Sequence, residues 1–135
     1  MHASEIMARP VPTVGPHTPV ADAVDMLTER ALPALPVVSD DGQLIGLFSE
    51  ANALFSEVTL AGDDTITVES VMTTRFESAS PDADVADVAR LMLDNELSCV
   101  PIVEGGMVFG LVSRTEVLRW PDRIAAWSAD TVPVR

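Results

Sequence analysis

The chain contains the same sequence pattern twice, and this repeat limits its fold more than any other feature. When residues 4–39 are aligned with 69–104, and residues 42–55 with 106–119, 13 of the 50 aligned positions are identical. Two copies with a period of about 64 residues do not match a solenoid, which stacks three or more shorter repeats. The chain is therefore predicted to form two copies of one small domain. The identical pairs include Met7 and Met72, Pro36 and Pro101, Gly46 and Gly110, and Ser49 and Ser113.

Each copy carries the same order of helix and strand signals. In the first copy, Pro19 precedes apolar side chains at intervals of three and four, which predicts an amphipathic helix. Two short apolar runs follow, residues 35–38 and 44–48, and the Asp-Gly turn between them predicts a hairpin. A second helix is predicted to begin at Ser49. With one strand ahead of the first helix, we predict an α/β (α+β) fold of order strand, helix, strand, strand, helix. The predicted helical faces are Val20, Val24, Leu27 and Ala31, and Val85, Val88, Ala89 and Met92.

The repeat also sets the predicted boundaries. We expect one domain in residues 1–60, a second in 61–120 and a tail in 121–135. The polar residues 56–67, which include Gly-Asp-Asp, are typical of a linker. Trp120, Ile124 and Trp127 are spaced i, i+4 and i+7, which favours a short helix with one apolar face. This stripe either packs onto the core of its own chain or forms an aromatic patch for a partner subunit.

Composition excludes several classes of partner. The chain has 135 residues, 47% of them hydrophobic, so it can bury a core, and no apolar run is long enough to span a bilayer. Its net charge is −13, which repels nucleic acids and anionic membranes. The start of the chain lacks the pattern of a signal peptide, so we expect a cytoplasmic location. The single cysteine, Cys99, precludes an internal disulfide and is expected to be a small buried side chain.

No arrangement of catalytic residues is visible. The chain shows no Ser/His/Asp or Cys/His combination, no glycine-rich phosphate loop and no set of spaced metal ligands. We therefore expect no enzymatic activity and no bound metal.

The motifs resemble a tandem pair of CBS domains, the family named after cystathionine β-synthase. The resemblance covers about residues 3–119 and depends on the order and duplication of the motifs. They are Ser4-Glu5-Ile6-Met7, Leu35-Pro36-Val37-Val38 and Gly46-Leu47-Phe48-Ser49, with their counterparts in the second copy.

The resemblance implies a fold and a function. Two such repeats usually pack with pseudo-twofold symmetry into one module, called a Bateman module, and modules often dimerise. The clefts commonly bind AMP, ADP, ATP or S-adenosylmethionine, and the module usually regulates an enzyme, channel or transporter. For this chain the resemblance implies a stand-alone pair, a homodimer, and an unidentified regulated protein as a separate partner.

The resemblance also implies which residues touch a ligand. In the family, backbone and apolar groups near the first strand hold adenine, and a hydroxyl residue at the start of the second helix approaches phosphate. An Asp three residues later binds the ribose hydroxyls. Nearby arginines are candidates for phosphate binding. The matching positions are Val11, Thr13, Pro36, Ser49 and Asn52; Phe76, Ser78, Pro101, Ser113, Arg114 and Glu116; and, for phosphate, Arg9 and Arg75.

The chain departs from the family at the ribose-binding acid. The first copy has Asn52, which lacks the charge, and the second has Glu116, whose side chain is one methylene longer. Ser113-Arg114-Thr115-Glu116 also matches a capping box, in which serine and glutamate satisfy the backbone of their own helix. Two functions therefore remain open: a module that senses an adenosyl ligand, and a ligand-free scaffold for dimerisation or interaction.

Overall fold

Helices and hairpins alternate along the chain in a computed structural model that describes residues 1–59, 63 and 65–119. A short 3-10 turn, Val68–Ser70, precedes the second copy. The elements in chain order are α1 (Ala3–Ile6), α2 (Val20–Glu29), β1 (Ala34–Val38), β2 (Leu44–Ser49), α3 (Glu50–Thr59), α4 (Val85–Asp94), β3 (Cys99–Glu104), β4 (Met107–Ser113) and α5 (Arg114–Leu118). The predicted mixed fold, with two related halves, is confirmed.

Two compact units divide these elements, and they are not two consecutive stretches of chain. The α2/α3 unit comprises Val11–Phe76 and Gly105–Val108. The α4/α5 unit comprises Met1–Pro10, Glu77–Glu104 and the described residues from Phe109 onward. The first ten residues therefore belong with the hairpin and helices of the second copy.

Each unit contains one antiparallel hairpin that is extended on both sides by single backbone bridges. In the α2/α3 unit, β1 pairs with β2, with Pro36 opposite Leu47. Val14 bridges β1 in parallel at Val37, and Thr73 bridges β2 at Leu47. The α4/α5 unit repeats this arrangement, with Ala79 beside Ile102 and Ala8 beside Leu111.

The predicted first strand of each copy is reduced to its one parallel bridge. The Val14 N–H donates to the Pro36 carbonyl at 3.0 Å, and the Val38 N–H donates to the Val14 carbonyl at 2.9 Å. The next bond of a parallel ladder would require an N–H from residue 36, and proline has none. In the second copy, Ala79 makes the same pair of bonds, and Pro101 interrupts the ladder in the same way.

The predicted apolar helical faces do cover the sheets. Val20 and Leu27 of α2 are buried, as are Val85, Val88 and Met92 of α4. Ala31, which was predicted to continue the first face, lies beyond the end of α2 with a φ of 51°. It ends the helix in the left-handed conformation, as does its counterpart Glu96 at 54°.

Two methionines pack against glycines at the outer bridges. A Cβ at Gly110 would lie 2.5 Å from the Met7 Sδ and 2.9 Å from the Ala8 carbonyl oxygen. A Cβ at Gly46 would lie 2.7 Å from the Met72 Sδ. Because the repeat pairs Gly46 with Gly110 and Met7 with Met72, each unit uses the same close approach.

Replacing Gly110 by alanine is expected to lower the free energy of unfolding by about 1–2 kcal/mol, since the new Cβ overlaps the Ala8 backbone as well as Met7. Urea unfolding of the wild type, Gly110→Ala, Met7→Ala and the double variant measures this cost. We expect the double variant to be more stable than the sum of the single losses predicts, because removing the Met7 side chain relieves part of the overlap. Strict additivity would contradict the proposed contact.

The predicted linker and tail fall only partly within the described residues. The linker was predicted from Ser56, but α3 continues to Thr59 with Ser56 buried, so this part of the prediction is wrong. Residues 60–62 and 64 of that linker, and the Trp120–Trp127 stripe with the rest of the tail, lie outside the described residues. Along the described chain, every helix is too short or too polar to cross a membrane.

Candidate functional site

In each unit, several of the predicted ligand residues lie at one end of the sheet, the end at which the second hairpin strand finishes. Arg75 and Arg9 follow the antiparallel bridges at Thr73 and Ala8, so the chain leads them towards the opposite end. In the α2/α3 unit, Ser49 is the last residue of β2 and lies opposite Ala34, the first residue of β1. The parallel bridge at Val14 places Thr13 and Pro12 at the same end. The set in this unit is Val11, Thr13, Pro36, Ser49, Asn52, Arg75 and Phe76; the set in the α4/α5 unit is Arg9, Ser78, Pro101, Ser113, Arg114 and Glu116.

Burial separates these residues into two groups. Pro36 and Pro101 are fully buried, and Ser113 is 8% exposed. Thr13 and Ser78 are exposed beside the bridged positions. The two prolines therefore lie in the protein interior, while Thr13 and Ser78 are accessible to solvent.

Unpaired backbone carbonyls lie at this end of the sheet in both units. In a parallel ladder, the N–H of residue 36 would donate to the carbonyl of Pro12, and that of residue 101 would donate to the carbonyl of Glu77. Residues 36 and 101 are both prolines and have no N–H to donate, and no hydrogen bond among the described residues reaches either carbonyl. The resemblance implied that backbone groups near the first strand hold adenine, but it did not say which of them lack a partner. Pro36 and Pro101 are the residues that leave these two carbonyls unpaired.

At the junction between β2 and α3, Asn52 is hydrogen-bonded to Ser49. The Asn52 Oδ1 accepts hydrogen bonds from the Ser49 N–H at 2.8 Å and from the Ser49 hydroxyl at 2.9 Å. The Asn52 Nδ2 donates to the Thr73 Oγ1 at 3.4 Å. Thr73 is a second residue that sequence reasoning missed, because it is 21 positions away along the chain. The amide oxygen is therefore occupied twice, and the rest of the amide is a donor.

The junction between β4 and α5 has the predicted capping box. The Glu116 Oε1 accepts from the Ser113 N–H at 2.7 Å and from the Ser113 hydroxyl at 2.6 Å. Both bonds use the same carboxylate oxygen, so Oε2 takes no part in the cap. A carboxylate can accept about four hydrogen bonds, which leaves Glu116 able to cap its helix and to accept further donors.

The candidate cations lie at the surface. Arg9, Arg75 and Arg114 are all exposed, and Arg114 is the first residue of α5. The equivalent position in the first copy is Glu50, so the two junctions differ in charge as well as in the capping residue. Within residues 1–59, 63 and 65–119, no three His, Cys, Asp or Glu side chains come together as a metal site.

Cys99 lies at the start of β3 and is 7% exposed, as predicted for a small buried side chain. Burial raises the pKa of its thiol to about 11, against the lowering effect of a hydrogen bond with Ser98, and the negative charge of Glu116 raises it further. A thiol that stays protonated is a poor nucleophile.

Comparison with known proteins gives a consistent set of relatives. An A-adding tRNA nucleotidyltransferase of Aquifex aeolicus (strain VF5) is 33% identical over 115 residues, which are 85% of this chain and 14% of that protein. The chain thus spans a small part of this relative.

Two solved structures have the same fold. CBSX2 in complex with AMP is 27% identical, with a TM-score of 0.78 over 92% of this chain and 98% of that one. The CBS domain pair of protein MJ0100, in complex with 5′-methylthioadenosine and S-adenosyl-L-methionine, is 23% identical, with a TM-score of 0.82 over the same shares.

The family model supports the same assignment from sequence. The model described as "CBS domain" matches twice, over residues 3–56 and 68–123, which together include most of the chain. These matches coincide with the repeat, and both hairpin-and-helix units are present in the structure. The chain belongs to the CBS domain family and contains a tandem pair of these domains.

Proposed function

We propose that this protein is a regulatory module that senses a ligand containing adenosine. The observation that carries the proposal is the pair of unpaired backbone carbonyls at Pro12 and Glu77, at the same end of the sheet as the serine that ends each hairpin. A purine with an amino group can donate to such a carbonyl. We further propose that the module is non-catalytic and cytoplasmic, and that it acts as a homodimer on a separate protein.

The spacing of the groups at this edge supports a nucleoside. In the α2/α3 unit, residue 12, the first residues of β1 and Ser49 occupy three neighbouring positions across the sheet. Two inter-strand spacings separate the outer positions by about 10 Å. One nucleoside can bridge this separation, with the base at the unpaired carbonyl and the ribose near the helix junction.

Glu116 makes the β4–α5 junction the better candidate for ribose. Its Oε2 remains outside the cap and carries charge, which strengthens hydrogen bonds from hydroxyl groups. Asn52, by contrast, uses its only acceptor oxygen in two bonds to Ser49. We therefore propose one preferred site, at Ser113 and Glu116, with Ser78 and Pro101 on the base side.

Two neighbouring structures support the class of ligand. The CBSX2 structure contains AMP, and the MJ0100 domain pair contains 5′-methylthioadenosine and S-adenosyl-L-methionine. All three compounds contain adenosine. The strongly acidic chain favours a ligand without multiple phosphates, because anions approach a net charge of −13 unfavourably. Arg9, Arg75 and Arg114 remain the candidates for a single phosphate.

A ligand-free scaffold is the second candidate function. The observation that favours it is the exposed apolar surface of α3, where Leu54, Phe55 and Val58 are 66%, 53% and 77% exposed. A contiguous apolar surface of this kind is typical of an interface. In this case both junctions would serve only as helix caps.

Thermal unfolding with separate additions of AMP, ATP, 5′-methylthioadenosine and S-adenosylmethionine distinguishes the two functions. A ligand at 100 times its dissociation constant adds about 2.7 kcal/mol of stability, which raises the melting temperature by several degrees. We expect a clear shift with at least one compound and a smaller shift with ATP. If none of the four compounds shifts the transition, the sensing function is wrong and the scaffold is favoured.

A further inference from the structure

An open groove lies between α2 and α3 of the α2/α3 unit, and its lining is mostly apolar. Its volume is about 500 Å³. Each helix contributes residues at intervals of three and four, which lie on one face of a helix. The lining residues are Val24, Leu27, Thr28, Ala31 and Leu32 from α2 and the turn after it, and Glu50, Ala53, Leu54 and Glu57 from α3.

The charges at this groove are all negative. Glu50 and Glu57 are exposed, and neither carboxylate has an ion pair with a described arginine. Over the α2/α3 unit, ten acidic residues and two arginines give a net charge of −8. The groove between α4 and α5 differs, because Arg114 and Glu96 supply one charge of each sign there. The α2/α3 groove therefore combines an apolar lining with a field of one sign.

We propose that the α2/α3 groove binds a basic amphipathic helix of a separate protein. Apolar side chains at intervals of three and four on such a helix occupy the apolar lining. Lysine or arginine side chains beside them lie near Glu50 and Glu57, which attract and orient a cationic partner. The groove thus selects both the spacing and the charge of what it binds.

The dimensions of the groove fit a short helix. Both α2 and α3 contain ten residues, which corresponds to a length of about 15 Å. Val58 lies four residues after Leu54 on the same face of α3, and these side chains are 77% and 66% exposed. Three to four turns of a partner helix are therefore enough to cover the apolar surface.

A second copy of this chain is a poorer occupant of the groove. In a twofold interface both copies present the same surface. Glu50 and Glu57 would then lie against carboxylates of the other copy, and like charges across an interface suppress binding. The whole chain carries a net charge of −13, so every face of a second copy approaches this unit against an unfavourable field.

The chemistry of this partner rests on the proposed action of the module on a separate protein, but it does not require the adenosyl ligand. Thermal unfolding with adenosyl compounds tests the sensing function. Peptide binding without any such compound tests the groove. A failure of either function is therefore distinguishable from a failure of the other.

Fluorescence anisotropy of a dye-labelled synthetic peptide, titrated with the full chain, tests the groove. The peptide has about 14 residues, with leucines at intervals of three and four and lysines elsewhere. A scrambled peptide of the same composition and a peptide with glutamate in place of lysine are the controls. We expect both controls to bind at least about tenfold more weakly than the leucine-lysine peptide, and its own affinity to fall as salt screens the carboxylates.

Two variants locate the binding on the protein. Leu54→Asp should weaken binding of the leucine-lysine peptide about tenfold or more, because it places a charge in the apolar lining. Its matched control, Leu93→Asp, adds the same charge at the α4/α5 groove and should change little. Glu57→Lys should weaken binding similarly, whereas Asp94→Lys, with the same change of net charge in the other unit, should not. All four positions are exposed, and circular dichroism verifies that the variants stay folded.

Three results would overturn the assignment of this groove to a basic helix. The first is equal binding of the scrambled peptide, which would mean that net charge alone attracts the peptide. The second is an unchanged affinity in folded Leu54→Asp and Glu57→Lys. The third is self-association of the wild type in sedimentation that Leu54→Asp abolishes, which would place a second copy in the groove.

Discussion

Replacing Glu116 by glutamine is expected to weaken binding of the adenosyl ligand roughly 10- to 100-fold, while the protein remains folded. A hydrogen bond to a charged acceptor contributes about 1.5–3 kcal/mol, and the substitution removes the charge. Glutamine retains an acceptor oxygen for the Ser113 N–H, and it is accepted in capping boxes. Isothermal titration with the compound identified by thermal unfolding measures the change in affinity.

The stability of the same variant provides the control. Glu116→Gln should unfold within about 1 kcal/mol of the wild type, since only the interaction of the charge with the helix start is lost. Glu116→Ala should lose ligand binding and also about 0.5–2 kcal/mol of stability, because it removes the cap. An unchanged affinity in Glu116→Gln would show that the carboxylate serves the helix alone.

The first copy permits the converse substitution. Asn52→Asp places a carboxylate where the family has its acid, and the new side chain can still accept both bonds from Ser49. We expect either a second ligand per chain or tighter binding overall. A gain in stability without any gain in binding would indicate that this junction is only a cap.

Raising the pH from 9 to 11 is expected to lower the free energy of unfolding by about 2 kcal/mol through Cys99 alone. Burial raises the pKa of this thiol from 9.0 to about 11 in the folded protein. Well below pH 9 the thiol is protonated in both states, so this part of the stability is fully present. Between pH 9 and 11 the unfolded chain loses the proton first and is stabilised, at about 1.4 kcal/mol per unit of pKa difference.

The composition makes this measurement unusually specific. The chain has no tyrosine, and all eight of its basic residues other than histidine are arginines, so no other side chain titrates ordinarily between pH 9 and 11. Urea unfolding at several pH values should give a sloping stability for the wild type and a flat one for Cys99→Ala. If the alanine variant loses stability equally, the slope has another origin and the Cys99 thiol is not responsible.

The local features of the site could be predicted from the sequence because they depend on neighbouring residues. The capping box at Ser113 and Glu116 spans four positions, and its hydrogen bonds form as predicted. The prolines at 36 and 101 limit the sheet wherever the chain folds, because they lack an N–H. The sequence pattern did not show that each proline leaves a carbonyl unpaired on a different segment, at Pro12 and at Glu77.

Contacts between distant residues could not be predicted in the same way. Thr73 reaches Asn52 across 21 positions, and this bond occupies the amide that the family pattern would assign to ribose. The repeat does not predict the Thr73 contact either, because the hydrogen bonds described for Glu116, the counterpart of Asn52, are both to Ser113.

The sequence alone determined that this protein has two related α/β units of the CBS family, since repeated apolar spacing and turn residues act over a few positions. Only the tertiary structure decided which segments form each unit. Residues 1–10 join the second copy because Ala8 pairs with Leu111 and Met7 packs against Gly110, roughly 100 residues later. Such pairings depend on the shape of a folded surface, and a sequence period does not contain that information.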